Sequence, residues 1–209
     1  MVRKASGKRN KAAKIEAIIE TTRKLIGEKG YTATTTNHIA KAAGVSIGLV
    51  YKYFPLGKAN ITYQISLRDH FSIVETVLNA GNRKEELPKR LHSILLAWIT
   101  QHESNEPFLR AMNIAMLEKP QLFGGYSEVV KRTAEKGQFL FQPGEVEDSN
   151  NPEVRETMLA LFHTIESTIH RHVLSIRLFD TNEKLAEFLS AVVLGVIRRY
   201  FGDAINTHR

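Results

Sequence analysis

Apolar residues recur at helical spacing in one segment after another, and the breaks between segments carry glycine, proline or capping residues. From Lys11 to Lys29, the residues Ile15, Ile18, Ile19, Thr22, Leu25 and Ile26 fall on one face, with Gly27 and Gly30 near the end. Two short patterns then meet at Ala43-Gly44-Val45. Ile39, Ala40 and Ala43 share a face in the first, and Leu49, Val50, Tyr53 and Phe54 do so in the second. Pro55 and Gly57 break the second pattern, and Lys58 opens a helix running to about Asn79 through Ile61, Ile65, Leu67, Phe71, Val74 and Leu78. Further helices are predicted over 84–104, with Pro88 harmless in the first turn, over 107–118, and over 122–139, the last weakened by Gly124-Gly125. QPGEVEDSNNP (142–152) has no period and reads as an acidic loop. Two long amphipathic segments close the chain, 153–178 and 183–205, joined by a short break at Asp180-Thr181-Asn182. They predict an antiparallel helical hairpin.

Residues 35–54 form the stretch around which the rest is arranged. Gly44 sits where a chain leaving a helix needs positive φ, and Ser46 is placed to cap the next helix. Helix, glycine turn and capped second helix are the pattern of a helix-turn-helix. The outer side of the second helix shows Ser46, Ile47, Gly48, Tyr51 and Lys52, small residues leading and a phenol and a cation following. Such a face enters a major groove without obstruction at its leading end. Thr35 is placed to cap the first helix. Its hydroxyl and the free N–H groups behind it suit a phosphate, and a purely structural cap is compatible with the same position.

Charge sharpens this picture because it is unevenly placed. Residues 1–70 hold 13 Lys and Arg against 4 Asp and Glu, a net of +9, whereas residues 71–209 hold 16 against 18, a net of −2. Localised positive charge is what counterion release from a polyanion needs. Residues 1–10 carry Arg3, Lys4, Lys8 and Arg9 with no apolar period and are expected to be a flexible arm. The arm either lies along DNA or only adds solubility. Cysteine is absent, which excludes disulfides, thiolate metal sites and cysteine nucleophiles. No apolar run reaches membrane-span length and no secretory signal pattern follows the basic start, so a cytoplasmic location is expected.

The run Ile15, Leu25, Gly30-Tyr31, Thr35, Ile39-Ala40, Ala43-Gly44-Val45-Ser46, Gly48, Tyr51, Tyr53-Phe54 and Gly57-Lys58 resembles the N-terminal domain of the TetR family of transcriptional regulators. The resemblance covers about 50 residues. It implies an all-α chain: a basic arm (1–10), a three-helix DNA-binding head (11–58), and a ligand-binding and dimerisation domain of about six helices (59–209). Thr35, Tyr51, Tyr53 and Lys58 occupy positions that resemble the family's contacts to the DNA backbone. Ser46, Ile47, Gly48, Leu49 and Lys52 occupy the start and flank of its reading helix. Two positions depart from the family pattern. Ile47 stands where a basic residue or proline is common, and Leu49 where a small residue or threonine is common. Both offer only apolar contact, for instance to a thymine methyl, so direct base hydrogen bonding would be sparse.

The last helix is apolar well beyond one stripe, through Val192, Val193, Leu194 and Val196, and so must be buried on more than one side. That excess predicts a homodimer interface through Ile165, Ile169, Val173, Leu189, Val192, Val196, Ile197 and Tyr200, the hairpin pairing with its mate as the family's does. The family's effector cavity lies among the middle helices. It implies an apolar-walled site drawn from Trp98, Phe108, Met112, Met116, Phe123, Tyr126 and Phe162, with His102, Asn113, His163 and Glu166 as polar candidates. No cofactor is implied. His163, Glu166 and His170 share a helix face, but two histidines seven residues apart are about 10 Å apart along the axis, too far for one metal ion without another segment.

These readings converge on a homodimeric regulator, expected to act as a repressor, released from a near-palindromic duplex operator by a small, largely apolar effector. The rival is a DNA-binding protein of the same fold with no small-molecule effector, controlled by a protein partner or acting architecturally. No phosphate-cradling glycine loop, G-x-S-x-G or H-E-x-x-H is present, so enzymatic function is not expected.

Overall fold

The computed structural model describes residues 2–81, 84–135 and 151–201. Among the described residues there are nine α-helices, one short 3-10 turn and no strand. The helices are α1 (Val2–Ala33), α2 (Thr36–Ala42), α3 (Ile47–Tyr53), α4 (Gly57–Ala80), α5 (Leu87–Ser104), α6 (Glu106–Glu118), α7 (Gly124–Glu135), α8 (Pro152–Leu174) and α9 (Asn182–Phe201). The all-α class and the helix order agree with the sequence periods. No helix is long and apolar enough to cross a membrane among the described residues. The expected loop at 142–152 lies, up to residue 150, outside them.

Two element boundaries differ from expectation. Residues 2–10, expected as a flexible arm, are helical and continue α1. Lys, Arg and Ala are good helix formers, and extending an existing helix avoids the cost of nucleation. At its other end α1 is interrupted at Gly30 (φ 78°, ψ 167°), a conformation that a side chain would oppose. The helix α8 ends at Leu174, earlier than the apolar period suggested. Beyond it, Leu178 N–H donates to His172 Nδ1 (3.0 Å), and Glu103 receives both Arg177 (2.8 Å) and Asn182 Nδ2 (2.6 Å). These bonds draw 175–182 into a turn.

The chain divides into two compact units. One comprises Met1–Asp69 with Pro107–Tyr126, and the other His70–Glu106 with Ser127–Arg209. The division falls inside α4. In the first unit, Ile18, Ile19, Ile26, Ile39, Val50, Phe54, Ile61 and Ile65 are buried and form the core of the head. Arg23 reaches from α1 to Asp69 on α4 through two N–H···O bonds of 3.1 and 2.6 Å, and its guanidinium lies over the Phe108 ring. The sequence reading placed Asp69 and Phe108 in the second domain. In the structure they pack with the head.

In the second unit α9 packs chiefly on α5, and α8 touches both. Leu91, Leu95 and Ile99 of α5, Met158, Ile165 and Ile169 of α8, and Leu185, Leu189, Val193 and Ile197 of α9 are closed from solvent. Of the residues that make α9 apolar beyond one stripe, Val193 is closed inside the unit, whereas Val192, Leu194 and Val196 stay half-buried.

Candidate nucleic-acid interface

Backbone bonds dictate the geometry of the head. Val45 N–H donates to Ala40 O (3.0 Å) and Gly44 N–H to Lys41 O (3.3 Å), the paired bonds that terminate a helix with a left-handed residue. Gly44 supplies that residue (φ 64°). The Thr35 hydroxyl accepts from His38 N–H at 3.1 Å and the Ser46 hydroxyl from Leu49 N–H at 3.2 Å, so both predicted caps form. Val50 (0% exposed) and Phe54 (4%) anchor α3 in the core. Their burial turns the opposite side outward: Ser46, Ile47, Gly48, Tyr51 and Lys52 are exposed, Tyr51 by 48%. Leu49 and Tyr53 are half-buried at the flanks, and Lys11 Nζ lies 5.7 Å from the centre of the Tyr53 ring. The exposed helix face thus joins small, apolar, phenolic and cationic groups on a basic head.

Two contacts position this face without belonging to it. Gly57 has φ 59°, and a Cβ there would lie 2.9 Å from Thr36 Oγ1 and 3.3 Å from Tyr51 Cε1. The absent side chain lets the turn after α3 approach the start of α2. Thr34, which the sequence reading passed over, is buried. Its hydroxyl lies 2.8 Å from the Gly30 carbonyl and 3.2 Å from the Leu25 carbonyl. It satisfies carbonyls at the frayed end of α1 just before α2 begins. Its only sequence signal was a threonine directly before a cap residue.

Lys58 is half-buried. Its ammonium donates to the Tyr31 carbonyl at 2.6 Å and lies 3.7 Å from the centre of the Tyr31 ring. Burial lowers its pKa, and the Glu118 carboxylate works the other way. Tyr31 in turn donates its phenol to Glu118 Oε2 at 2.8 Å. Burial first, then Glu118, pushes the Tyr31 phenol well up. A lysine at the start of a helix is unfavourable for that helix's dipole. Here it is accommodated because the ammonium caps a carbonyl at the end of α1, a reason internal to the protein that the sequence did not reveal.

The effector candidates are distributed over both units. Phe108, Met112 and Phe123 are buried in the first, where Phe123 meets Tyr63 edge-on with ring centres 5.3 Å apart. Met116 and Asn113 are half-buried, and Asn113 Nδ2 donates to Leu109 O (2.9 Å) along its own helix. The Tyr126 side chain lies outside the described residues. In the second unit Trp98 and Phe162 are buried against each other, ring centres 5.4 Å apart, with His102 beside them. His163 is exposed on the outer side of α8, so it is not a lining residue of this core. A groove of about 580 Å³ runs between α5 and α9, lined by residues such as His92, Ser93, Glu187 and Ala191. None of the described effector candidates borders it.

The interface candidates require a correction. Ile165, Ile169, Leu189 and Ile197 are closed off by the chain's own helices, at most 1% exposed, so a partner cannot cover them. Val173, Val192 and Val196 are half-buried and Tyr200 is exposed. Phe188, 48% exposed, shares the outer side of α9 with Ala191 and Gly195. The apolar period counts a core stripe and a surface stripe alike, which is why the first four were included.

Residues 18–62 match the family model described as bacterial regulatory proteins, tetR family. The chain is 24% identical over 201 residues to the fatty acid metabolism regulator protein of Bacillus subtilis, covering 90% of this chain and 98% of that protein. Its fold is shared with a tetR-family transcriptional regulator from Streptomyces coelicolor (TM-score 0.65, 19% identity, 91% of this chain and 86% of that one). It is also shared with the fatty acid degradation regulator FadR from Bacillus halodurans (TM-score 0.54, 19% identity, 88% and 96%). The matched segment contains the whole helix-turn-helix, its caps and its glycine turns, and the chain on either side carries the fold of the same regulators. Residues 18–62 are therefore a tetR-family regulatory segment, and the chain as a whole has the fold of tetR-family transcriptional regulators.

Proposed function

We propose that the protein is a homodimeric, cytoplasmic repressor that is released from a near-palindromic operator by a small, largely apolar effector. The observation carrying the DNA-reading half is the exposed α3 face, with its core-anchored opposite side and the basic head around it. Ser46, Ile47, Gly48, Leu49 and Lys52 would form the reading side toward the base edges, and Thr35, Tyr51, Tyr53 and Lys58 would meet the phosphates. Twofold symmetry would set two such helices in successive major grooves, about 34–36 Å apart. The half-buried Val173, Val192 and Val196, with exposed Phe188 and Tyr200, offer an apolar surface for the second copy.

Two relatives are named as regulators of fatty acid metabolism or degradation. Together with the aromatic and methionine side chains Trp98, Met158 and Phe162 of the second unit, this favours an acyl chain as the effector class. A guest releases DNA only by its differential affinity for two conformations, and α4, continuous from the first unit into the second, is the natural hinge. Selection of duplexes by the full chain, followed by titration of the selected complex with acyl-CoA and free fatty acids, tests both halves. An enriched inverted repeat released by acyl compounds is expected. A repeat that no acyl compound releases would leave a DNA-binding regulator without this effector, and absence of any enriched repeat would remove the operator reading itself.

A further inference from the structure

Glu166 and His170 stand one turn apart on α8, which puts both side chains on one face. His102 meets them from α5. Glu166 Oε1 lies 3.2 Å from His170 Nε2 and 3.8 Å from His102 Nε2, and the two imidazoles are 5.2 Å apart at their centres. One ligand atom from each of the three side chains falls within 4.8 Å of the others. Sequence spacing had set aside a metal ion on His163, Glu166 and His170 for want of a second segment. The fold supplies that segment, and His102 takes the place of the outward-facing His163.

The hydrogen bonding of His102 decides what the cluster holds. Its Nδ1 is 3.0 Å from the Trp98 carbonyl, which can only accept, so the proton sits on Nδ1. In the neutral ring Nε2 is then a bare lone pair aimed at a carboxylate oxygen. The two atoms face each other at 3.8 Å, longer than a hydrogen bond, a separation that a bound cation would bridge. A proton bridges that distance poorly, since hydrogen bonds are shorter. A metal ion bonded at about 2.0–2.1 Å holds tetrahedral ligand atoms roughly 3.3 Å apart, near the 3.2 Å of the Glu166–His170 pair and shorter than the 3.8 Å from Glu166 to His102. His170 Nε2 is buried without a hydrogen bond among the described residues, although it faces the same oxygen. Histidine ligands are commonly oriented in this way, by an Nδ1–H bond to a backbone carbonyl.

The setting agrees. His102 is 5% exposed and Glu166 and His170 21% each, beside the buried Trp98, Phe162 and Ile169. His70, on α4, stands near enough to feel the charge of both Glu166 and His102.

We propose that His102, Glu166 and His170 bind a divalent transition-metal ion of the zinc class, with the fourth position taken by water or His70. Two imidazoles and one carboxylate select zinc, cobalt or nickel over magnesium and calcium, which prefer all-oxygen sites. The ion would fasten α5 to α8. This inference is independent of the effector and operator proposed above, because its readout is metal uptake.

The test is titration of the chelator-stripped full chain with Co²⁺ and with Zn²⁺ alone, followed by visible absorption and calorimetry. One equivalent of cobalt per chain, with tetrahedral d–d bands displaced by zinc, is expected. Glu166→Gln, which keeps the side chain's shape, and His170→Ala should each weaken binding by about 10- to 100-fold or more, while His163→Ala should leave it unchanged. Failure of the wild-type chain to take up either ion overturns the site whatever the variants do. Stoichiometric binding that survives in the His102→Gln/His170→Ala pair also overturns it.

Discussion

The ammonium of Lys58 donates to the carbonyl of Tyr31 at 2.6 Å while resting on that residue's ring, so the first turn of α4 is pinned to the end of α1. Replacing Lys58 by Ala should lower stability by about 1–2 kcal/mol, the range for a charge-assisted hydrogen bond with a part-buried partner. Among the described residues, one of the three ammonium donors makes a hydrogen bond. If another reaches a phosphate, the slope of log affinity against log salt should fall by about 0.9 in the variant. Chemical denaturation and a salt series of DNA binding measure the two effects separately, and an unchanged slope would confine Lys58 to its structural role.

Stability should also fall at alkaline pH because of Tyr31. Its phenol is held protonated in the fold by burial and by Glu118, so its folded pKa lies above the unfolded value of about 10. Above that pH the unfolded chain binds fewer protons than the folded one. The contribution is therefore fully present below about pH 10 and is lost as pH rises further. Tyr31→Phe should remove this part of the alkaline loss. A Tyr31→Phe chain whose stability falls with pH as steeply as the wild type's would show that Tyr31 is not the group responsible.

Gly57→Ala should destabilise the head by roughly 1–3 kcal/mol, because it adds a Cβ at positive φ and presses it against Thr36 and Tyr51. Gly27→Ala, a position where a Cβ meets nothing within 4 Å and no positive φ is required, should be neutral or slightly stabilising. Thermal melts of the two variants side by side make the comparison. Equal midpoints would contradict the close approach at Gly57.

The proposed dimer surface predicts a division between two kinds of change on α9. A charge at exposed Phe188 or half-buried Val192 should yield folded monomers in sedimentation, whereas a charge at the closed Ile197 should unfold the chain. Folded dimers of Phe188→Asp and Val192→Asp would move the interface elsewhere.

Much of this architecture was legible in the sequence because it is local. The caps Thr35 and Ser46, the glycine at 44 and the core face of Val50 and Phe54 each follow from spacing over a few residues. What escaped was long-range. Arg23 with Asp69, Tyr31 with Glu118 and His102 with Glu166 are separated by 46, 87 and 64 positions, and no period connects such pairs. The same limit explains the interface: α8 and α9 carry apolar residues on several sides, and only the packing of α5 shows which are already used. The helical start at Val2 was missed for a different reason, since no apolar stripe runs through residues 2–10 to reveal it.

The central claim is that the outward side of α3 touches DNA. Hydrogen–deuterium exchange of the full chain, with and without a selected duplex, tests it directly. The account predicts DNA-dependent protection over residues 35–58. Protection confined to other segments, with residues 46–53 exchanging as in the free protein, would contradict it.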